Sequence, residues 1–151
     1  MKITLAAIVP RRSRTKADAF EQLIADYTTR AARYLPTESQ MFDVEADFLA
    51  WTGSQPGRVT PFLVLLDSRG KQLSSEEFAT TLGTHRDHGT QRLILAIGPA
   101  DGWTESTRKR ADLLLSLGRI TLPHQLARVV LAEQTYRALS ILAGHPYHSG
   151  H

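Results

Sequence analysis

The residues best able to do chemistry lie in the last third of the chain. Glu133 and Arg137 stand four apart, in the favourable orientation for a helical ion pair. On a solvated helix face such a bridge is worth only about a few tenths of a kcal/mol. The tail that follows, His145-Pro-Tyr147-His148-Ser-Gly-His151, sets three imidazoles at intervals of three. That pattern admits a metal site or a tail that touches a substrate. No helix holds this spacing and no carboxylate lies beside it in sequence, which weighs against metal. Further upstream, Gly98-Pro-Ala-Asp-Gly102 is a turn that lets a ligand approach the backbone closely. Pro99 and Ala100 break the GxGxxG pattern and no Walker-type lysine follows, so ordinary dinucleotide or ATP binding is disfavoured. The chain has no cysteine, which removes thiolate nucleophiles, disulfides and Cys-type zinc sites. No GxSxG elbow supports a serine hydrolase, and His85 and His88 read as surface residues.

A succession of strands and helices must position these groups. Lys2 to Val9 reads as a buried strand, and apolar positions from Phe20 to Tyr34 recur at helical spacing. Gln40 to Val44 reads as a short strand, Phe48 to Trp51 as a helical turn, and Gly53 to Gly57 as a loop. A second buried strand, Pro61 to Leu66, closes at Asp67 to Gly70. Ser74-Ser-Glu-Glu77 has capping-box spacing and opens a helix to about Gly83. Arg92 to Ile97 is a third buried strand, and Thr104 caps a helix to about Asp112. Leu113 to Leu117 is the fourth, and the last helix runs from Pro123 to Gly144. Buried strands that alternate with helices predict an α/β fold with a parallel sheet covered on both faces. Ligands in such sheets bind at the carboxyl ends of the strands. Three of those ends are candidate binding turns: Leu66-Asp67, Ile97 to Gly102, and Leu117 to Leu122. The last helix carries two adjoining apolar stripes, a width that points to a partner subunit.

Composition sets outer bounds. With 151 residues, 42% hydrophobic and 22% charged, one compact domain spanning 1–151 is expected. No apolar run approaches the roughly 18 residues of a membrane span. Met1 to Val9 lacks a basic leader, and a cytoplasmic protein is the natural reading. The net charge is +3, a mild lean toward polyanions. The charge is locally denser at Arg11, Arg12, Arg14 and Lys16, and again at Arg108 to Arg110.

Ile120-Thr-Leu-Pro-His-Gln125, Arg128-Val-Val, Glu133, Tyr136-Arg137-Ala138 and His145-Pro-Tyr-His148 closely resemble the C-terminal half of the RlmH family. These are small bacterial SPOUT methyltransferases acting on N3 of a pseudouridine in 23S ribosomal RNA. The start MKITLAAIV and the strand order are also similar. The resemblance implies a C-terminal trefoil knot, S-adenosylmethionine as cofactor, and a homodimer with its site near the subunit interface. It implies cofactor contacts at Leu66, Gly98, Leu117, Gly118, Arg119, Ile120, Thr121 and Leu122. On the substrate side it implies Arg137, Tyr147 and His148, with Arg137 stabilising negative charge and the tail residues holding the base or taking its proton. Arg11, Arg12, Arg14 and Lys16 would meet RNA phosphates. The alternatives are a SPOUT methyltransferase for another RNA uridine and a binding-only RNA protein on the same scaffold. Two departures stand out. Pro99 replaces a family glycine, removing an N–H, and the segment Asp43 to Pro61 is shorter than usual.

Overall fold

The computed structural model describes residues 1–14, 18–54 and 59–149. Lys16 falls outside them. Among the described residues, five strands and five α-helices run in the order β1 (Lys2–Ile8), α1 (Ala19–Ala31), β2 (Thr37–Phe42), α2 (Glu45–Ser54), β3 (Phe62–Gln72), α3 (Ser75–Asp87), β4 (Arg92–Ile97), α4 (Glu105–Arg108), β5 (Leu113–Ser116) and α5 (His124–Leu142). The five strands form one sheet in the order β2-β1-β4-β3-β5, and every paired neighbour is parallel.

Alternate residues of the central strands feed two cores. Ile3, Leu5, Ala7, Leu93, Leu95 and Ile97 face one side, where Leu131, Ala132, Tyr136 and Leu139 of α5 cover them. Ala6, Ile8, Ile94 and Ala96 face the other, against Phe48 of α2 and Trp103. Burial on both faces is why these strands read as unbroken apolar runs rather than alternating ones.

Local chemistry sets most helix starts. Asp18 caps α1 by accepting from the Glu21 amide at 2.8 Å. Ser74 and Glu77 form the reciprocal capping box that opens α3. Thr104 caps α4, although that helix stops at Arg108 instead of reaching Asp112. Gly144, at φ +71°, follows the end of α5.

Several expectations need correction. β2 begins directly after Pro36, earlier than Gln40, because its residues pair with β1 from Ile3↔Thr37 onward. The turn at Phe48 is a full helix, anchored by complete burial of the Phe48 ring against Phe42 and Trp103. β3 does not close at Asp67. Leu115 of β5 partners both Leu66 and Lys71, so residues 67–70 bulge out of the ladder and pairing then resumes. Gly70 is required there, since a Cβ would sit 2.6 Å from the Leu114 carbonyl carbon. His85 lies within α3 rather than after it, with its ring 3.8 Å from that of Phe62 and Nδ1 3.1 Å from the Thr90 hydroxyl. The two apolar stripes of α5 are largely consumed inside this chain, packed between the sheet, α1 and α3. Among the described residues no helix is long and apolar enough to cross a membrane.

Candidate active site

The parallel order brings the carboxyl ends of β3, β4 and β5 to one edge, and all three predicted binding turns meet there. One cavity of about 250 Å³ is lined by Leu66 to Ser68 and by Leu115 to Leu122. A second, of about 400 Å³, is lined by Leu66 to Arg69, Ile97 to Trp103 and His124. The two share Leu66, Asp67, Ser68, Leu122 and Ala127 as a common wall. Leu66, Gly98, Leu117, Gly118, Arg119, Ile120, Thr121 and Leu122 therefore all line one joined space.

Backbone geometry builds this space. Gly118 has φ +122°, a conformation that side-chain-bearing residues rarely adopt. The Ser116 hydroxyl accepts from the Gly118 amide at 3.1 Å and donates to the Gly118 carbonyl at 3.0 Å, locking the turn out of β5. Ile120 projects from the same segment with 81% of its surface exposed. At Gly98 the need for glycine comes from packing: a Cβ would lie 2.8 Å from the Trp103 ring. Trp103 is held flat by its Nε1–H, which donates to the Leu66 carbonyl at 3.1 Å. His124 closes the circle, with Nε2 3.0 Å from the Gly98 carbonyl. A carbonyl only accepts, so Nε2 carries the proton. Burial pushes the His124 pKa below its ordinary value and Arg128 lowers it further, against the opposing pull of the Gly98 and Ile8 carbonyls. Pro99 leaves the turn intact, because its carbonyl accepts from the Gly102 amide at 2.9 Å.

Trp103 and His124 had no site role in the sequence reading, and Asp67 had only its place in a candidate binding turn. His124 lies inside a quoted motif and Trp103 directly follows Gly102, but neither spacing reveals a partner that comes from another strand. Asp67 is committed to Arg108, whose Nε donates to it at 2.7 Å while Nη1 reaches Glu105. Hydrogen bonds to Glu105 and Asp67 hold the Arg108 pKa above its usual value. Arg108 is thus a structural cation of this edge, not a loose surface charge.

The other predicted side chains form a separate cluster on α5 and the tail. Arg137 donates to Glu133 Oε1 through Nε at 2.8 Å and Nη2 at 2.6 Å, and both side chains are more than four-fifths buried. The surface bridge expected from spacing is a shielded pair. Tyr147 lies under the guanidinium, 4.9 Å from its carbon, and its hydroxyl donates to Glu133 Oε1 at 3.1 Å. Burial, with hydrogen bonds to Tyr27 and Glu133, raises the Tyr147 pKa strongly. A phenol held this way is kept in its protonated form and donates to Glu133. Arg137 Nη1 donates to His148 Nδ1 at 2.9 Å, and His148 Nε2 meets Glu76 Oε1 at 2.7 Å. His145 Nδ1 accepts from the Tyr147 amide at 3.2 Å. Both described tail imidazoles are therefore engaged, and among the described residues no group of three or more His, Asp or Glu is placed to hold a metal ion.

The cluster and the joined cavities share no lining residue. Ala127, on the cavity wall, and Arg137 are ten residues apart on one helix, roughly 15 Å along its axis. Of the basic residues, Arg12 and Arg14 lie beside Pro99 and His124, which also line the second cavity. Arg11, Arg12 and Ser13 form an exposed 3₁₀ turn after β1. Arg14 is pinned by its Nε to the Val9 carbonyl at 3.0 Å. Arg12 lines a cleft with Pro10, Pro99, His124 and Arg128, the last paired with Glu21.

Comparison with known proteins agrees with this geometry. A family model described as "Predicted SPOUT methyltransferase" matches residues 1–148. A Koribacter versatilis protein named ribosomal RNA large subunit methyltransferase H is 53% identical over 91% of this chain and 94% of its own length. A Sinorhizobium fredii protein of the same name is 60% identical over 57% of this chain, spanning 54% of that relative. Two solved structures share the fold at 11% identity. The SpoU methyltransferase AviRb of Streptomyces viridochromogenes, in complex with AdoMet, has a TM-score of 0.52 over 95% of this chain and 59% of its own. A probable methylase family protein of Haemophilus influenzae has a TM-score of 0.54 over 98% and 70%. The match over almost the whole chain, with a five-stranded parallel sheet beneath it, settles the kinship: this chain belongs to the SPOUT methyltransferase family.

Proposed function

We propose that this protein transfers the methyl group of S-adenosylmethionine to N3 of a pseudouridine in 23S ribosomal RNA, working as a cytoplasmic homodimer of one domain spanning 1–151, with a C-terminal trefoil knot. One observation carries the reading. All eight residues at which the family resemblance expects cofactor contacts line the same joined cavities at the carboxyl edge of the sheet. Their combined size suits a nucleoside-sized ligand. The walls mix peptide groups with apolar side chains, which suits a purine and a short zwitterionic tail.

Bound S-adenosylmethionine supplies a methyl group activated on a sulfonium, so the chain's own residues need only orient and stabilise. Gly98, Trp103 and His124 hold the β4 turn against Leu66, which fixes one wall of the space. Ser116 and Gly118 fix the other. Arg137 stabilises the negative charge that develops as the acceptor releases its N3 proton to water. Tyr147 and His148 hold that guanidinium in place. The separation of roughly 15 Å along α5 supports a site completed by two copies, the cavities of one facing the Arg137 cluster of the other. Phe20 and Leu23 of α1 and Leu126 of α5, all more than a third exposed, offer apolar surface for that contact. Arg11, Arg12, Arg14 and Lys16 supply phosphate contacts.

The test is incubation of the purified protein with S-adenosylmethionine and ribosomes lacking the modification, followed by mass spectrometry of 23S fragments. One methyl on a pseudouridine is expected. Methylation of a different uridine would replace the target. Failure of millimolar S-adenosylmethionine to bind in calorimetry would sink the enzyme reading in favour of RNA binding alone.

A further inference from the structure

We propose that Glu76 and Glu133 are positioning residues for the methyl-accepting site, holding Arg137 in one orientation through a closed ring of hydrogen bonds. The catalytic part of this inference rests on the role proposed above for Arg137; the ring itself does not. The ring starts on the first turn of α3, where the Ser75 hydroxyl donates to Gln134 Oε1 at 2.7 Å. Gln134 Nε2 donates to Glu133 Oε2 at 2.9 Å, and Glu133 Oε1 accepts from Arg137. Arg137 Nη1 donates to His148 Nδ1, and His148 Nε2 donates to Glu76 Oε1. Glu76 is the next residue after Ser75, so the circuit closes on the turn that the Ser74–Glu77 capping box already fixes.

The ring admits one protonation pattern. Arginine only donates, so His148 Nδ1 must be the acceptor and Nε2 must carry the hydrogen, which a carboxylate receives. Reversing any single link sets donor against donor or acceptor against acceptor. A fully satisfied network of this kind specifies one geometry. Three of the five guanidinium hydrogens are used: the one on Nε and one on each terminal nitrogen. Among the described residues, one hydrogen on each terminal nitrogen of the fork has no partner. Such a fork suits an anionic acceptor. Glu133 orients the fork from its inner side, and Tyr147 closes one of its faces. Glu76 reaches from α3 to hold His148, and through it the tail.

An alternative role for Glu133 is simple neutralisation of Arg137, and the two make opposite predictions. Positioning predicts that Glu133→Gln lowers kcat, by about tenfold or more, because a neutral amide holds the Arg137 guanidinium more weakly than the carboxylate does. Neutralisation predicts an unchanged or higher kcat, and that result would overturn the proposal. At the other end Glu76 is exposed, so its substitution leaves the core untouched. In the full-length protein, ¹⁵N shifts of His148 should report the Nε2–H tautomer. Glu76→Ala should release it and lower kcat about tenfold, the size of one lost hydrogen bond, while KM for RNA and cofactor affinity stay within about twofold. Glu76→Gln keeps an oxygen for the imidazole and should recover most of both signals. An Nδ1–H tautomer in the wild type, an unchanged kcat in Glu76→Ala, or equal losses in Ala and Gln would each overturn the proposal. If the wild type methylates no RNA, the function above fails with every catalytic role, while the nitrogen shifts still decide whether the ring exists.

Discussion

The joined cavities and the Arg137 cluster are built on different principles. The cavities are made of backbone: a glycine turn at Gly118, a glycine beneath an indole at Gly98, and carbonyls of Leu66 and Gly98 held by Trp103 and His124. Their shape follows from where parallel strands end, and any side chain that respects the shape is tolerated. The cluster is made of side chains, each holding the next, and its shape depends on proton positions as much as on atoms. The first suits recognition of a ligand that is always the same. The second suits a step in which charge develops and must be met by a donor of fixed direction.

Breaking the two regions should therefore fail in different ways. Arg137→Ala has the largest effect: methyl transfer should fall by a factor on the order of 10² to 10³, while calorimetry shows cofactor affinity within twofold. Retained turnover would remove Arg137 from the mechanism. Gly98→Ala acts on the other side. The new methyl meets the Trp103 ring at 2.8 Å, and overpacking of this kind costs about 1–3 kcal/mol. Cofactor affinity should drop at least tenfold, with a lower melting temperature, because Trp103 must leave the Leu66 carbonyl. An affinity equal to wild type would show that this wall is not used.

The same contrast explains what could be read in advance. Arg92–Ile97 and the three strand ends were legible because burial on both faces leaves unbroken apolar runs, and a parallel sheet gathers its strand ends at one edge. The capping box at Ser74 and the stop at Gly144 were legible because they are local. Trp103 against Leu66 is 37 positions apart and His148 against Glu76 is 72, and no periodicity reports such pairs. The bulge at residues 67–70 was hidden because Asp67, Ser68 and Gly70 are also ordinary turn residues. The width of α5 was read as a sign of a partner, yet α1 and α3 use most of it. Only the family motifs, not spacing, pointed to Arg137, Tyr147 and His148 acting together.

The basic turn gives a smaller test. Among the described residues the Arg12 side chain has no hydrogen-bond or ion-pair partner, whereas Arg14 is tied to Val9. Arg12→Ala should weaken RNA binding a few-fold and reduce the salt slope by about one unit, with no loss of stability. Arg14→Ala should also loosen the turn, seen as a lower melting temperature. An unchanged slope for both would move the RNA surface away from β1.

The smallest effect concerns pH and only the side-chain region. The hydrogen bond from His148, with help from the local backbone, holds the Glu76 carboxyl below its usual value near 4.5. A depressed carboxyl favours the docked tail fully above its unfolded value, and the contribution is lost as pH falls through the folded value. Of the neighbouring charges, Arg137 and Glu133 are paired with each other and are the same in both proteins compared. Glu77 titrates in the same acid range within its capping box, so the comparison must be with Glu76→Gln, which keeps Glu77. Above the ordinary carboxylate range the tail should keep the whole Glu76 contribution to its protection from proteolysis. Below about pH 4 it should open in the wild type and change less in the variant. Identical curves for the two proteins would mean that Glu76 does not hold the tail. The strand-end cavities, held by backbone carbonyls and by a His124 whose pKa burial lowers, should bind cofactor unchanged in wild type and variant alike.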